Sequence, residues 1–230
     1  MDTVYIICLA PLVIFIDIFL YLTIVRKNAF EERLALYRPQ HQLSQKREAY
    51  LKGVHKFRLW VTGIIIVMFT APLFIYLIVM IQEVGIITAL HSLFFNQMKW
   101  VIPFIYFVAF LVYWLLSYVF KRNEKALCML VEQMSDSDFE LLLKIKDSLP
   151  FISKYNPSFV LRNDQLYIFL FFAIREIDPT KITSINWSSG KNGIFVQLKT
   201  SKNMIFTLSR GEFPYFKEII KEYNPTLITP

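Results

Sequence analysis

The sequence contains few of the residues from which catalytic and metal sites are usually built. Its 230 residues include two cysteines, three histidines and six glycines. No pair of cysteines or histidines has zinc-site spacing, no glycine-rich loop precedes a helix, and no Gly-x-Ser-x-Gly elbow occurs. We therefore expect a protein without enzyme activity, metal ion or cofactor.

One acidic cluster could be considered as a metal site. Asp136, Asp138 and Glu140 follow Ser135 within a few residues. Side-chain oxygens at such positions cap the first turn of a helix. Capping is the favoured interpretation of the cluster, and metal binding is the alternative.

Charged residues are absent from two long stretches of the chain. Leu59 to Ile81 and Trp100 to Phe120 contain no Asp, Glu, Lys or Arg, and each can cross the roughly 30 Å hydrocarbon layer as a helix of about 20 residues. Thr3 to Val25 is a third apolar run, interrupted by Asp17. With 55% hydrophobic residues and a mean hydropathy of +0.44, the chain is predicted to be an α-helical membrane protein with three transmembrane helices.

The charges that flank these runs predict the orientation. Residues 26–58 contain nine basic and three acidic residues. The connection between the two uncharged stretches has Glu83 and Lys99 as its only charged residues, and Trp100–Phe120 is followed by Lys121 and Arg122. Lys and Arg accumulate on the cytosolic side of membrane proteins. We therefore expect the N-terminus outside and the C-terminal region in the cytosol. Cys8 and Cys128 would then lie at opposite membrane faces, which excludes a disulfide within one chain.

The predicted organisation has five parts. They are a transmembrane helix in residues 1–25, a basic cytosolic loop in 26–58, a transmembrane hairpin in 59–120, a helical connector in 121–150, and a cytosolic β-rich domain with a C-terminal helix in 151–230. Val84 to Phe95 is apolar but short, and is predicted to be an interfacial or re-entrant piece at the outer face.

Basic residues near the predicted span ends are the candidate contacts with anionic membrane lipid. Each would contribute up to about 1 kcal/mol close to an anionic surface, and a purely topological role is the simpler interpretation. Nucleic acid is not an expected partner, because the basic loop has few aromatic residues and no recognisable binding module. The candidate lipid contacts are Arg26, Lys27, Lys52, Lys56, Arg58, Lys121 and Arg122.

Asp17 is the candidate functional residue within the membrane. A charged side chain at mid-membrane costs about 3 kcal/mol or more on insertion scales. The favoured interpretation is a neutral carboxyl that bonds a hydroxyl of a neighbouring helix, and the alternative is an ion or proton pathway. Each run also contains one proline, Pro11, Pro72 or Pro103, which predicts tolerated bends or, alternatively, a hinge.

Turn residues and apolar alternation in the chain after Trp100–Phe120 predict an α+β domain. A helix from Asp136 to Ser148 is expected to precede five antiparallel strands, and a helix from about Glu212 follows them. The predicted strands are Phe159–Arg162, Leu166–Ile174, Lys181–Trp187, Ile194–Lys199 and Met204–Leu208.

This order of elements, attached to a membrane hairpin, resembles the small pleckstrin-homology-like domains of bacterial multi-span membrane proteins. The resemblance covers roughly Asn156 to Tyr223 and implies a binding or assembly module. Eukaryotic relatives bind phosphoinositides through a basic loop between early strands, where this chain has the short, nearly neutral Arg162-Asn163-Asp164. The combination of few spans with a cytosolic control domain also resembles membrane-damaging phage-defence effectors.

Two functions follow as hypotheses. The first is a non-enzymatic inner-membrane effector whose cytosolic domain responds to a partner and whose hairpin perturbs the bilayer, for example in abortive-infection phage defence. The second is a membrane-anchored scaffold or immunity protein that binds another protein through its cytosolic domain. A transporter would rest on Asp17 alone.

The abundance of Ile, Phe, Lys and Asn is typical of AT-rich bacterial genes, so the expected location is a bacterial inner membrane. Besides lipid, the expected partners are a protein encoded nearby and further copies of the chain.

Overall fold

The structure is a computed structural model, and it describes residues 28–39, 42–88, 101–191, 193–201 and 203–227 together with the single positions 14, 17, 18 and 21. Most of the predicted first span, and residues 89–95 of the predicted interfacial piece, lie outside the described residues. The chain divides into two compact units, one formed by Lys52–Glu124 and the other by Met1–Leu51 with Lys125–Pro230. We call the first the hairpin unit and the second the α+β unit.

The described residues form helices and two small antiparallel sheets. Three short 3-10 turns at Phe151–Ser153, Pro179–Lys181 and Pro225–Leu227 connect them. The elements in chain order are α1 (Ala29–Leu36), α2 (Gln45–Val84), α3 (Val101–Gln133), α4 (Asp136–Ser148), β1 (Phe159–Arg162), β2 (Gln165–Phe169), β3 (Ile174–Ile177), β4 (Ser184–Gly190), β5 (Gly193–Lys199), β6 (Asn203–Leu208) and α5 (Phe213–Tyr223).

Two of these helices are long and apolar enough to cross a membrane. α2 has 40 residues and α3 has 33, which at 1.5 Å per residue corresponds to about 60 Å and about 50 Å. The most apolar window of α2 has a mean hydropathy of 2.8 with none of it buried, and that of α3 has 1.8 with 17% buried. Two helices therefore have the length and the composition that the predicted hairpin requires. The arrangement of three transmembrane helices stays a prediction.

α1 occupies part of the predicted basic loop. The Asn28 side chain caps it by accepting a hydrogen bond from the Glu31 backbone N–H at 2.8 Å, and Glu31 and Glu32 suit the positive end of the helix dipole. The centre of its buried Phe30 ring lies 5.1 Å from the centre of the Tyr167 ring in β2. Asn28 also donates to the backbone oxygen of Ile174 at 2.6 Å. Residues 28–36 thus pack against the first sheet.

Each sheet is a meander of three antiparallel strands. The strand orders are β1-β2-β3 and β4-β5-β6. The two sheets, α4 and α5 share one hydrophobic core, in which the Phe216 ring of α5 lies 5.4 Å from Phe159 and 5.7 Å from Phe206. This arrangement is compatible with the predicted α+β domain.

The number of strands differs from the prediction because one predicted strand is divided. Leu166–Ile174 contains all of β2 after its first residue, then a tight turn, and then the first residue of β3. The turn is closed by the Leu170 N–H, which donates to the Ala173 oxygen at 2.9 Å. The four turn residues, Leu-Phe-Phe-Ala, lack Gly, Pro, Asn and Asp, which are the usual turn signals. In β5, by contrast, Val196 and Leu198 are buried while Gln197 and Lys199 are exposed, so the predicted alternation is confirmed.

A capping box holds the start of α5. The Ser209 hydroxyl accepts from the Glu212 backbone N–H at 3.2 Å, and the Glu212 carboxylate accepts from the Ser209 N–H at 3.1 Å. These reciprocal bonds satisfy two donors at the helix start. Gly211 lies between the two, where a Cβ atom would stand 2.2 Å from the Ser148 backbone oxygen. The turn therefore needs glycine to pass the end of α4.

Candidate functional site

The structure places the predicted lipid contacts in different environments. Arg26 and Lys27 lie outside the described residues, whereas Lys52, Lys56 and Lys121 are exposed on the hairpin unit. Exposure of these lysines is what contact with anionic headgroups would need. The proposed contacts themselves stay a prediction.

The other two candidate lipid contacts interact within the protein. Arg58 forms an ion pair with Glu124 at 2.7 Å, and His55 Nδ1 lies 2.9 Å from the other oxygen of the same carboxylate. Arg122 is 8% exposed, so little of its guanidinium surface is open to solvent. Glu124 thus joins two basic side chains of α2 to α3, which sequence analysis did not anticipate.

The predicted intramembrane carboxyl, Asp17, is one of the single described positions and is exposed. Its span lies mostly outside the described residues, so its role stays a prediction. Thr70 of α2 is one of the hydroxyls that a neighbouring helix offers to such a carboxyl. Its hydroxyl donates to the Ile66 backbone oxygen of its own helix at 2.9 Å, two residues before Pro72, which lies inside α2.

Basic residues of the predicted cytosolic loop hold the α+β unit together. Arg33 pairs with Glu176 of β3, and Lys46 lies 3.4 Å from Glu140. Arg47 interacts more extensively: it donates to the backbone oxygens of Val131 and Met134 at 2.8 and 2.9 Å, and pairs with Asp136 at 2.7 Å. These three basic side chains therefore have acidic partners within the α+β unit.

The acidic side chains at the start of α4 also have hydrogen-bond and ion-pair partners within the α+β unit. Ser135 caps the helix, the Asp138 carboxylate accepts from the Asn163 N–H at 2.9 Å, and Asp136 pairs with Arg47. Among the residues that the structure describes, no group of three or more His, Cys, Asp or Glu side chains could hold a metal ion. Ser135 therefore caps the helix, while Asp136 and Asp138 bond residues outside α4.

An arginine-lined cavity lies in the α+β unit. It has a volume of about 310 Å³ and opens between α1 with the residues after it, the last turns of α3, and the end of β1. No local pattern in the sequence indicates it, because Arg162 is distant along the chain from Arg33 and Arg38. The lining residues are Arg33, Leu36, Tyr37, Arg38, Met129, Glu132, Gln133 and Arg162.

Three guanidinium groups and one carboxylate line this cavity. Glu132 accepts a hydrogen bond from the Tyr37 hydroxyl. Burial, and then this bond, raise the pKa of Tyr37 above its usual value, so the phenol is a neutral donor at physiological pH. Arg38 is exposed, and the Arg162 Nε is buried without a hydrogen-bond acceptor among the described residues. Positive charge therefore predominates in the cavity.

A small apolar patch lies on the outer face of the second sheet. Phe195 of β5 is 49% exposed and Ile205 of β6 is 66% exposed. In the strand register Ile205 stands opposite Gln197 and Phe195 opposite Thr207, so the two apolar side chains are diagonal neighbours on one face. The exposed Gln197 and Lys199 of β5 share this face.

Comparisons with protein-family models, with curated proteins and with solved structures found no match for the chain. The resemblances to pleckstrin-homology-like domains and to phage-defence effectors stay predictions. The function must therefore be argued from the two candidate membrane helices, the exposed sheet face and the cavity.

Proposed function

We propose that this protein is a non-enzymatic effector of a bacterial inner membrane, in which the α+β unit responds to a partner and the hairpin perturbs the bilayer. The observation that carries the proposal is the uncovered apolar surface of α2, whose most hydrophobic window is entirely unburied. A helix that is apolar all round requires lipid or other helices around it. Further copies of the chain are the partners that would let two such helices rearrange together.

Helices α2 and α3 each contribute residues to both units, so each helix connects the α+β unit to the hairpin unit. α2 contributes its first residues, up to Leu51, to the α+β unit and the remainder to the hairpin unit, and α3 ends in the α+β unit from Lys125 onward. In the α+β unit the buried Tyr50 of α2 lies 6.0 Å from Phe139 and 5.8 Å from Tyr155, measured between ring centroids. A partner that displaced these contacts would act on the same helix that continues into the hairpin.

A second candidate function is a membrane-anchored scaffold or immunity protein. Its support is the exposed pair Phe195 and Ile205 on a sheet face that also carries Gln197 and Lys199. Apolar side chains surrounded by polar ones are typical of protein-binding surfaces. Under this function the hairpin serves only as an anchor.

Expression in bacteria separates the two functions. The full chain is induced alone and together with the genes that flank it in its source genome, while a potential-sensitive dye and optical density are recorded. We expect collapse of the membrane potential and arrest of growth in at least one arm, because a hairpin that perturbs the bilayer dissipates ion gradients. Asp17→Asn, run in parallel, tests the ion-pathway alternative and should depolarise as the wild type does.

Normal potential and normal growth in both arms, with the chain recovered from the membrane fraction, would contradict the effector. The scaffold function would then predict that photo-crosslinkers placed at Phe195 and Ile205 capture a flanking gene product. A crosslinker at the exposed Lys221 on α5 is the matched control. Equal capture from all three positions would contradict the scaffold as well.

A further inference from the structure

The arginine-lined cavity has the composition of an anion-binding site. Arg33 lines the cavity from α1, Arg38 lines it from the residues after α1, and Arg162 lines it from the end of β1. Of these, Arg33 has a carboxylate partner in Glu176. Within the described ranges, neither Arg38 nor Arg162 forms an ion pair. The described lining of the cavity thus contains two guanidinium groups that form no ion pair and one carboxylate, Glu132.

Arg162 supplies the strongest indication of a missing acceptor. Its Nε is buried and has no hydrogen-bond partner among the described residues. Native proteins rarely leave a buried donor without an acceptor, and a bound ion or water is one explanation for such a group. An anion in the cavity would bond the terminal nitrogens of the Arg162 guanidinium and offset its positive charge.

The remaining polar wall can bind hydroxyl groups. Glu132 is the one carboxylate in the lining, and the Tyr37 hydroxyl is already bonded to it. Gln133 presents an amide beside it, which can donate or accept. The site thus has a cationic side and an anionic, hydrogen-bonding side formed by Glu132 and Gln133.

We propose that this cavity binds a phosphate ester that carries neighbouring hydroxyl groups. The forked guanidinium groups of Arg38 and Arg162 bind phosphate oxygens, and the wall of Glu132 and Gln133 binds the hydroxyls. The volume of about 310 Å³ lies at the small end of the usual range for ligand pockets, about 300–1,000 Å³. The same chemistry is found in a soluble phosphorylated polyol and in the phosphoglycerol headgroup of an anionic lipid.

This site differs from the loop that the resemblance would indicate. Two of its three arginines come from residues 28–39, and the turn residues Asn163 and Asp164 do not line it. Instead, Asn163 bonds Asp138, and Asp164 accepts from Tyr223 at 2.5 Å. The proposal goes beyond the effector function and holds whether or not the hairpin perturbs a bilayer.

The test uses the purified full-length protein in phosphatidylcholine nanodiscs. Glycerol 1-phosphate is titrated by calorimetry for the soluble arm, and nanodiscs with and without phosphatidylglycerol are compared by thermal unfolding for the lipid arm. We expect Arg38→Gln and Arg162→Gln each to weaken binding about tenfold or more, the factor for a charge-assisted hydrogen bond of roughly 1.5–3 kcal/mol. Arg175→Gln, on β3 outside the lining, removes the same charge and should leave binding unchanged.

Each outcome decides the proposal. Arginine-dependent binding in the soluble arm identifies a soluble ligand, and arginine-dependent stabilisation in the lipid arm alone identifies the headgroup. Arg38 is exposed, so its variant remains informative if Arg162→Gln does not fold. Failure to bind in both arms, or an equal loss in Arg175→Gln, would overturn the site.

Discussion

Replacing Glu212 with alanine is expected to lower the free energy of unfolding of the α+β unit by about 3 kcal/mol or more. Glu212 is fully buried. One carboxylate oxygen accepts from the Ser158 backbone N–H at 2.8 Å, and the other accepts from the Ser158 hydroxyl at 3.0 Å and the Ser209 N–H at 3.1 Å. The side chain therefore connects the residue before β1 to the start of α5, and its removal leaves buried donors without acceptors.

Urea unfolding of the detergent-solubilised full chain measures this effect. Trp187 lies 5.7 Å from Phe213, next to the substituted residue, and its fluorescence reports on the local packing. Glu218→Ala, at an exposed position of the same helix, is the matched control and should change stability by less than about 0.5 kcal/mol. Glu212→Gln should be intermediate, because its amide group must face a donor. Wild-type stability in both Glu212 variants would refute the structural role.

Replacing Arg47 with methionine is expected to lower the same free energy by about 2–3 kcal/mol. Arg47 bonds two backbone oxygens at the end of α3, pairs with Asp136 of α4, and places its guanidinium 5.3 Å from the centre of the Phe139 ring. Its side chain is only 12% exposed. Methionine keeps the apolar stem, so the loss reports on the hydrogen bonds that join the start of α2 to the α3–α4 junction.

The adjacent Lys46 provides the control. Its side chain is 77% exposed and lies 3.4 Å from Glu140. Exposed ion pairs contribute at most about 1 kcal/mol, so Lys46→Met should shift the urea midpoint only slightly. Equal effects of Lys46→Met and Arg47→Met would mean that the geometry around Arg47 carries no special stabilisation.

Local signals in the sequence predicted the local elements well. The start of α4 follows Ser135, as the capping pattern indicated, and its bounds agree with those expected. The alternation in β5 also predicted which face is buried, because one face of a half-buried strand must be apolar. The lengths of the apolar runs predicted three helices capable of crossing a membrane, of which two are found among the described residues.

Long-range features could not be predicted in this way. The pairs of Arg33 with Glu176 and Arg47 with Asp136 join residues far apart in the chain, and no periodicity relates such positions. The cavity was not predicted for the same reason, since Arg162 is far along the chain from Arg33 and Arg38. The turn after β2 was missed because its residues are apolar. By contrast, the Ser-x-x-Glu pattern from Ser209 to Glu212 is a readable capping signature, although it does not reveal the contact with Ser158.

The central claim is that the hairpin lies in the membrane with the α+β unit on its cytosolic side. A fusion of alkaline phosphatase to the C-terminus, assayed in intact bacteria, tests it directly, since this enzyme becomes active only outside the cytosol. We predict a membrane-bound, inactive fusion. An active phosphatase, or recovery of the full chain in the soluble fraction, would contradict the account.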